Sequence, residues 1–247
     1  MRILLANDDG VGSGGISVLA DTLRRSHEVW IVAPETEKSG SSHAVTLHDA
    51  IRVRRIGERT FSCRGTPADC VLVALLGLVP VGIDLVVSGI NHGPNLGTDI
   101  VYSGTAAAAR QAAFMGRPAV ALSVDSYEPP FHFEGPARFV LRNLETLRSL
   151  WSPDHFVNVN FPNTAADADP ECRITFPSRR IYRDQLVSFP APNSDLFCFL
   201  GGLAPDTHPE EGSDCDAVAK GLISVSPILL HPINHRVEDR YRTAGLR

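Results

Sequence analysis

The sequence predicts an α/β protein, a parallel sheet covered by helices on both faces, with an antiparallel extension at its C-terminal side. Three observations predict it. The first half carries short strands that are apolar at every position, such as Val29-Trp30-Ile31-Val32-Ala33 and Leu85-Val86-Val87, and continuous apolarity marks strands buried on both faces. Segments with helical spacing lie between them, and alternation of strand and helix builds a parallel sheet. Beyond Pro162 the pattern changes to short strands among Pro, Asp and Arg.

The elements follow in order. Ile3-Leu4-Leu5-Ala6 is the first strand and ends in Asn7-Asp8-Asp9-Gly10. After Gly15, residues Ile16, Leu19, Ala20 and Leu23 recur at the spacing of one helical stripe. The strand at 29–33 is closed by Pro34. Thr66-Pro67-Ala68-Asp69 opens a second helix, with Thr66 as N-cap, Pro67 where no N–H is needed, and Asp69 facing the positive end of the dipole. That helix carries Val71, Leu72, Leu75 and Leu76, and Gly77 suits its stop. Asp84-Leu85-Val86-Val87 is a strand, an alanine-rich helix runs from Thr105 to Gly116, and Ala119-Val120-Ala121-Leu122-Ser123 is the next strand. A helix around Phe139, Val140, Leu144 and Leu147 precedes Val157-Asn158-Val159-Asn160-Phe161, a period-two strand.

Short strands are expected near 173–176, 186–189, 196–200 and 222–226. This part offers few positions to bury Phe189, Phe197, Phe199 and Leu200 within one chain, so these residues are expected to pack against a partner subunit. The polar, acidic stretch 205–216 reads as a solvated loop or a lid.

Composition narrows the function classes. At 247 residues the chain can bury a full core. A formal net charge of −5 and the lack of a long Lys/Arg run exclude a basic footprint, so neither a nucleic-acid polymer nor a membrane surface is an expected partner. Cys63, Cys70, Cys172, Cys198 and Cys215 form no C-x-x-C pair, which argues against a disulfide framework and a paired-cysteine zinc site. No signal peptide is visible, and Gly77 and Pro80 interrupt the longest apolar stretch. The expected compartment is the cytoplasm.

The candidate site begins with Asp8 and Asp9. Adjacent carboxylates at a strand end repel one another unless a cation neutralises them, and strand ends are where α/β sheets bind ligands. Asn-Asp-Asp-Gly is also good turn chemistry, but two more apolar runs end in small polar residues, Ser39-Gly40-Ser41-Ser42-His43 and Ser88-Gly89-Ile90-Asn91-His92-Gly93-Pro94-Asn95. Three loops of oxygen donors on one sheet edge read as a metal site for an anionic substrate. Hard oxygen donors favour Mg²⁺, Mn²⁺ or Ca²⁺ over zinc. His43, His48 and His92 lack the i, i+4 pairing of a zincin, although His43 or His92 could contact substrate or donate a proton.

Two other classes compete. Gly10-Val11-Gly12-Ser13-Gly14-Gly15 is a literal G-x-G-x-x-G with Glu35 beyond the next strand, as in nicotinamide-dinucleotide oxidoreductases. Asp8 and Asp9 occupy the turn, however, and would repel a pyrophosphate. A metal-binding receiver-like signalling module also holds an acidic pair after its first strand. It needs a phosphoacceptor Asp where this chain has Ser88, and a Lys that the strand at 119–123 does not supply.

In MRILLANDDG, VAPETEKSGSSHAVTL, GTPADCV and VVSGINHGPNLGTDIVYSGTAAAA, with a weaker GLISVSPI, the chain resembles the SurE family of survival proteins, metal-dependent nucleotidases. The resemblance implies a Rossmann-like three-layer catalytic core over 1–162. It implies that 163–247 completes the same domain as an extension with a β-hairpin and an oligomerisation arm. It further implies Asp8, Asp9, Ser39 and Asn91 as ligands of one divalent ion per subunit, Mg²⁺ or Mn²⁺, with Ca²⁺ an alternative occupant. Asn95 and Ser103-Gly104-Thr105 would surround the phosphate, and the last three precede a helix whose amides and dipole suit an anion. The implied activity is hydrolysis of nucleoside 5′-monophosphates, and of 3′-monophosphates, by a homodimer or homotetramer. Hydrolysis by metal-bound water is the preferred route, with a covalent aspartyl phosphate on Asp8 or Asp9 as the alternative. The glycine loop 12–15 and the segment 163–209 depart from the family pattern.

Overall fold

In the computed structural model, which describes residues 1–202, 205–207, 210–231 and 242–243, the chain opens with β1 (Arg2–Ala6), α1 (Gly14–Leu23) and β2 (Glu28–Pro34). An antiparallel pair, β3 (Arg52–Gly57) and β4 (Thr60–Arg64), leads to α2 (Pro67–Val73) and then β5 (Leu85–His92). The short α3 (Asp99–Tyr102) runs into α4 (Gly104–Phe114), followed by β6 (Ala119–Asp125), α5 (Glu134–Ser149) and β7 (His155–Pro162). The C-terminal part adds β8 (Cys172–Ile174), β9 (Arg180–Ile181), β10 (Asp184–Pro190), β11 (Leu196–Gly202), β12 (Asp206–Thr207), α6 (Asp214–Ala219) and β13 (Ile223–Leu229).

Side-chain alternation decides the layers. β1 sends Ile3 and Leu5 into one core and Leu4 and Ala6 into the other. The first core is covered by α1, through Ile16, Leu19 and Leu23, and by α5, through Val140, Leu144 and Leu147. The second is covered by α2 and α4, whose Ala106, Ala108, Ala109 and Ala112 are fully buried. Small side chains let α4 lie close over the sheet, which brings its N-terminus to the strand ends. The result is a three-layer α/β structure.

The main sheet has the order β3-β4-β2-β1-β5-β6-β7-β13-β8. From β4 to β7 the neighbours are parallel. β13 is antiparallel to β7 and parallel to β8, so the extension continues the core sheet. Among the described residues, β10 and β11 pair only with each other, and β12 pairs with β9. Residues 208 and 209 of the acidic stretch, and most of the chain beyond 231, lie outside the described residues.

Several local expectations are realised in detail. The Thr66 hydroxyl accepts from the Asp69 amide at 3.1 Å, and Asp69 accepts from the Thr66 amide at 2.9 Å, a reciprocal cap. The helix then departs from expectation: residues 74–78 form a π-turn, broken at Gly77 (φ 142°), which leaves Leu76 exposed. The sequence reading missed β3 and β4 because Arg52, Arg54 and Arg55 hide the strand pattern. Charged residues suit a sheet edge, where they oppose pairing with another chain.

β1 has β2 on one side and β5 on the other, so the connections leave it in opposite directions. A crevice opens beyond the strand ends at such a switch point. Asp8 and Asp9 follow β1, and Asn91 ends β5.

Candidate functional site

The turn after β1 is closed by Asn7, whose Nδ2 donates to the Gly10 carbonyl at 2.9 Å and to Ser13 Oγ at 2.8 Å. Asp8 and Asp9 are thereby held at the sheet end. Asp8 accepts from the Thr105 amide at 3.1 Å and from the Thr105 hydroxyl. A Cβ on Gly104 would come within 2.8 Å of Asp8 Cβ, so the α4 N-terminus reaches the carboxylate only with glycine there. Asp9 is 3 % exposed, and its Oδ1 lies 2.7 Å from Nδ1 of His92.

Burial raises the pKa of Asp8, against the lowering effect of its Thr105 hydrogen bonds. Burial and then the charge of Asp8 push Asp9 up to about 8, against an amide hydrogen bond from His92. Full ionisation of both carboxylates is therefore disfavoured unless a cation balances them.

Asn91 reaches the same place through a bulge in β5, where the register against β6 shifts between Ser88 and Asn91. Gly89 (φ 127°) makes the bulge possible, since a Cβ there would sit 2.4 Å from the Leu122 carbonyl oxygen. Asn91 donates its Nδ2 to the Gly93 carbonyl at 2.7 Å, leaving the amide oxygen for another partner. Ser39 is exposed, and its hydroxyl donates to Glu37 Oε1 at 2.8 Å, which leaves its lone pairs open.

These groups border a cavity of about 650 Å³ lined by Asp8, Ser39, Asn91, Asn95 and Ser103, together with Glu37, His92, Asp99 and three tyrosines. Among the described residues, neither Lys nor Arg lines it. A cavity walled by carboxylates repels an anionic ligand unless a cation intervenes. Two carboxylates, a hydroxyl and an amide oxygen fit a hard divalent ion. Among the described residues no three His, Cys, Asp or Glu side chains gather as a metal cluster; two of the four donors proposed here are Ser and Asn.

The predicted anion-binding residues divide. Ser103 caps α4, its Oγ accepting from the Ala106 amide at 2.9 Å, and its own proton is left to donate into the cavity. Asn95 is fixed through its backbone: its amide donates to Asn160 Oδ1 at 2.8 Å, and its carbonyl accepts from Asn158 at 2.9 Å and Asn160 at 3.1 Å. Its side-chain amide meets Ser123 Oγ at 2.7 Å. Gly104 and Thr105 are behind this surface, and Thr105 spends its amide and hydroxyl on Asp8. Thr105 therefore acts on the carboxylate, where the sequence reading had it facing phosphate. Asp9, too, stands behind the lining residues, against His92. His43 lies apart from the cavity, paired with Gln111 at 2.9 Å.

Sequence reasoning missed several members. Asn158 and Asn160 are fully buried in β7; two asparagines at strand spacing in an apolar run were the available signal. Asp99, Tyr102, Tyr127 and Tyr182 line the cavity, and the contacts that fix them cross from the core to the extension. Arg180 and Tyr182 both donate to Asp99, while Asp214 accepts from the Gly97 amide at 2.6 Å and the Ser178 amide at 2.8 Å.

The competing readings lose their footing here. The glycines at 10, 12, 14 and 15 line none of the cavity. A Cβ on Gly15 would sit 1.9 Å from the Ile90 carbonyl oxygen, so this glycine lets α1 press against β5. No acidic side chain ends β5, where a receiver domain needs its phosphoacceptor.

A family model described as survival protein SurE matches residues 3–184. A curated relative named 5′-nucleotidase SurE, from Herpetosiphon aurantiacus, is 40% identical over 250 residues, covering 99% of this chain and 98% of the relative. Another of that name, from Rhodospirillum rubrum, is 41% identical over 235 residues, covering 92% and 89%. The crystal structure of the Sure protein from Aquifex aeolicus superposes with a TM-score of 0.85 at 32% identity, covering 100% of both chains.

Proposed function

Because the chain belongs to the SurE family, we propose that its cavity is a metal-dependent 5′-nucleotidase site, hydrolysing nucleoside 5′-monophosphates, and 3′-monophosphates as well, to nucleoside and phosphate. The observation that carries this reading is the buried Asp8–Asp9 pair at the end of β1, beside a cavity that no Lys or Arg among the described residues lines.

Asp8, Asp9, Ser39 and Asn91 would hold one Mg²⁺ or Mn²⁺. When bound, such an ion neutralises the carboxylates and draws charge from a phosphoryl oxygen. The chain's own groups do the rest. Thr105 fixes the Asp8 carboxylate with two donors, and the His92 amide donates to Asp9. The Ser103 hydroxyl donates to a phosphoryl oxygen at the α4 N-terminus, where the helix dipole also favours negative charge. Asn95 Nδ2 donates one hydrogen to Ser123 Oγ and keeps its second N–H for another phosphoryl oxygen. Donors held this rigidly stabilise charge as it develops, at no reorganisation cost.

The exposed apolar faces of β10 and β11 would meet a second copy of the chain, giving a homodimer or homotetramer. No helix among the described residues is long and apolar enough to cross a membrane; the proposed compartment is the cytoplasm. A phosphate-release screen across nucleoside monophosphates, with chelator and then with added Mg²⁺ or Mn²⁺, tests the reading. Release restored by either ion is expected. Full turnover in chelator, or no release with any ion, would overturn it.

A further inference from the structure

The oxygen donors account for part of the cavity; the rest is aromatic. Tyr102, at the end of α3, and Tyr127, beyond β6, line it with side chains 54% and 62% exposed, so the core does not consume their rings. They are nevertheless held. Tyr182 donates its hydroxyl to Asp99, and Arg180, itself 8% exposed, donates to the same carboxylate, its charge acting on Tyr127 as well. The Tyr102 ring meets the Tyr182 ring edge-on, with centroids 5.6 Å apart at 80°. The Tyr127 ring lies over Gly93, where a Cβ would stand 3.6 Å from it. One buried ion pair thus anchors the Tyr182 hydroxyl, the Tyr102 ring leans on Tyr182, and Tyr127 rests over Gly93.

A buried ion pair is weak evidence of stabilisation, because desolvation offsets much of its attraction. Its evident effect here is to fix ring positions, which lowers the ordering cost of binding. On the reading of this cavity as a nucleotidase site, we propose that Tyr102 and Tyr127 form the nucleobase subsite, stacking the base on their rings, with Asp99 and Arg180 as positioning residues. The phosphate end and the aromatic wall share one cavity, of a size that suits a nucleotide. Every base has a π-face, so stacking tolerates all of them. Asp99, engaged by Arg180, Tyr182 and the Leu96 amide, has little capacity left to read a base edge. The subsite therefore selects nucleoside monophosphates over phosphomonoesters without an aromatic group, and discriminates weakly among bases.

The test compares AMP, GMP and CMP with ribose 5-phosphate, in the metal-supplemented wild type and in Tyr102→Ala and Tyr127→Ala. Each alanine is expected to lower the AMP-to-ribose 5-phosphate ratio of kcat/KM about tenfold or more, through KM and not kcat, with Phe at either position restoring it. Arg180→Met should shift the same ratio in the same direction, again through KM. Equilibrium titration of AMP and ribose 5-phosphate supplies a readout independent of turnover, and the alanines should abolish the preference for AMP. A wild type that takes ribose 5-phosphate as well as AMP, or alanines that weaken both alike, would overturn the subsite and leave the phosphatase reading intact. A wild type that binds AMP by its rings yet releases no phosphate would support the subsite and overturn the activity.

Discussion

β6 and β11 are both seven-residue strands rich in apolar side chains, and they meet opposite surroundings. β6 has β5 and β7 on its edges and helices over its faces, and its first six residues are buried. Among the described residues β11 pairs only with β10, and Phe197 and Leu200 are 62% and 84% exposed. A two-stranded ribbon is marginal by itself in water. The covered strands end in polar groups held still enough for chemistry; at the end of β6, Ser123 meets Asn95. The uncovered strands present apolar surface and no fixed polar constellation, a surface suited to association. Burial of the strand separates an edge of fixed polar groups from an exposed apolar ribbon.

The largest effect should come from breaking the covered edge at Asp9. Asp9→Asn keeps the volume but removes a charge, and turnover and Mn²⁺ affinity should fall together by at least about a hundredfold, the upper end for groups one shell further out. Metal-free stability should move the other way. The Asp9 pKa is raised to about 8 in the fold but is about 3.9 in an unfolded chain. The stabilisation from that retained proton is complete below the unfolded value and is lost as pH rises through about 8. Thermal melts in chelator from pH 5 to 9 should show this loss in the wild type, and the variant should flatten it. Equal slopes would mean that Asp9 does not titrate as its burial implies.

Asn95→Ala should separate phosphate from metal. Loss of one oxyanion donor costs about a hundredfold in kcat, and Mn²⁺ affinity by calorimetry should hold, since Asp8, Asp9, Ser39 and Asn91 are untouched. Metal loss as severe as in Asp9→Asn would show that Asn95 is a ligand.

Thr105→Val tests the carboxylate's support. It keeps the shape and the amide but removes the hydroxyl from Asp8, so Mn²⁺ affinity should fall about tenfold. A drop in kcat at saturating Mn²⁺, with affinity unchanged, would return Thr105 to the phosphate.

The smallest effect on folding belongs to the uncovered strands. Phe199→Ser with Leu200→Ser should shift thermal stability of the core by no more than about 0.5 kcal/mol per site, as for exposed positions. Light scattering should nevertheless show a smaller assembly. An unchanged mass would sharpen the contrast differently, leaving the ribbon exposed in the working protein.

Much of this was legible because it is local. Asp8, Asp9, Asn91 and Ser103 each stand where an apolar run ends or a helix begins, and strand ends and helix N-termini can be read residue by residue. The Thr66 cap was legible for the same reason. The support that Thr105 gives Asp8 was not legible, because the two residues lie 97 positions apart in sequence. Arg180 was invisible for a like reason, since its partner Asp99 belongs to a different part of the chain.

The sequence by itself determined the layered α/β architecture and the carboxylate pair at the end of its first strand. Periodicity and the chemistry of adjacent residues act within a few positions of the backbone. Only the tertiary structure decided which side each strand takes, that β13 joins the core sheet, that Thr105 supports Asp8, and that tyrosines from three segments line one cavity. Those choices depend on which distant surfaces exclude water together, and burial is a property of the assembled chain.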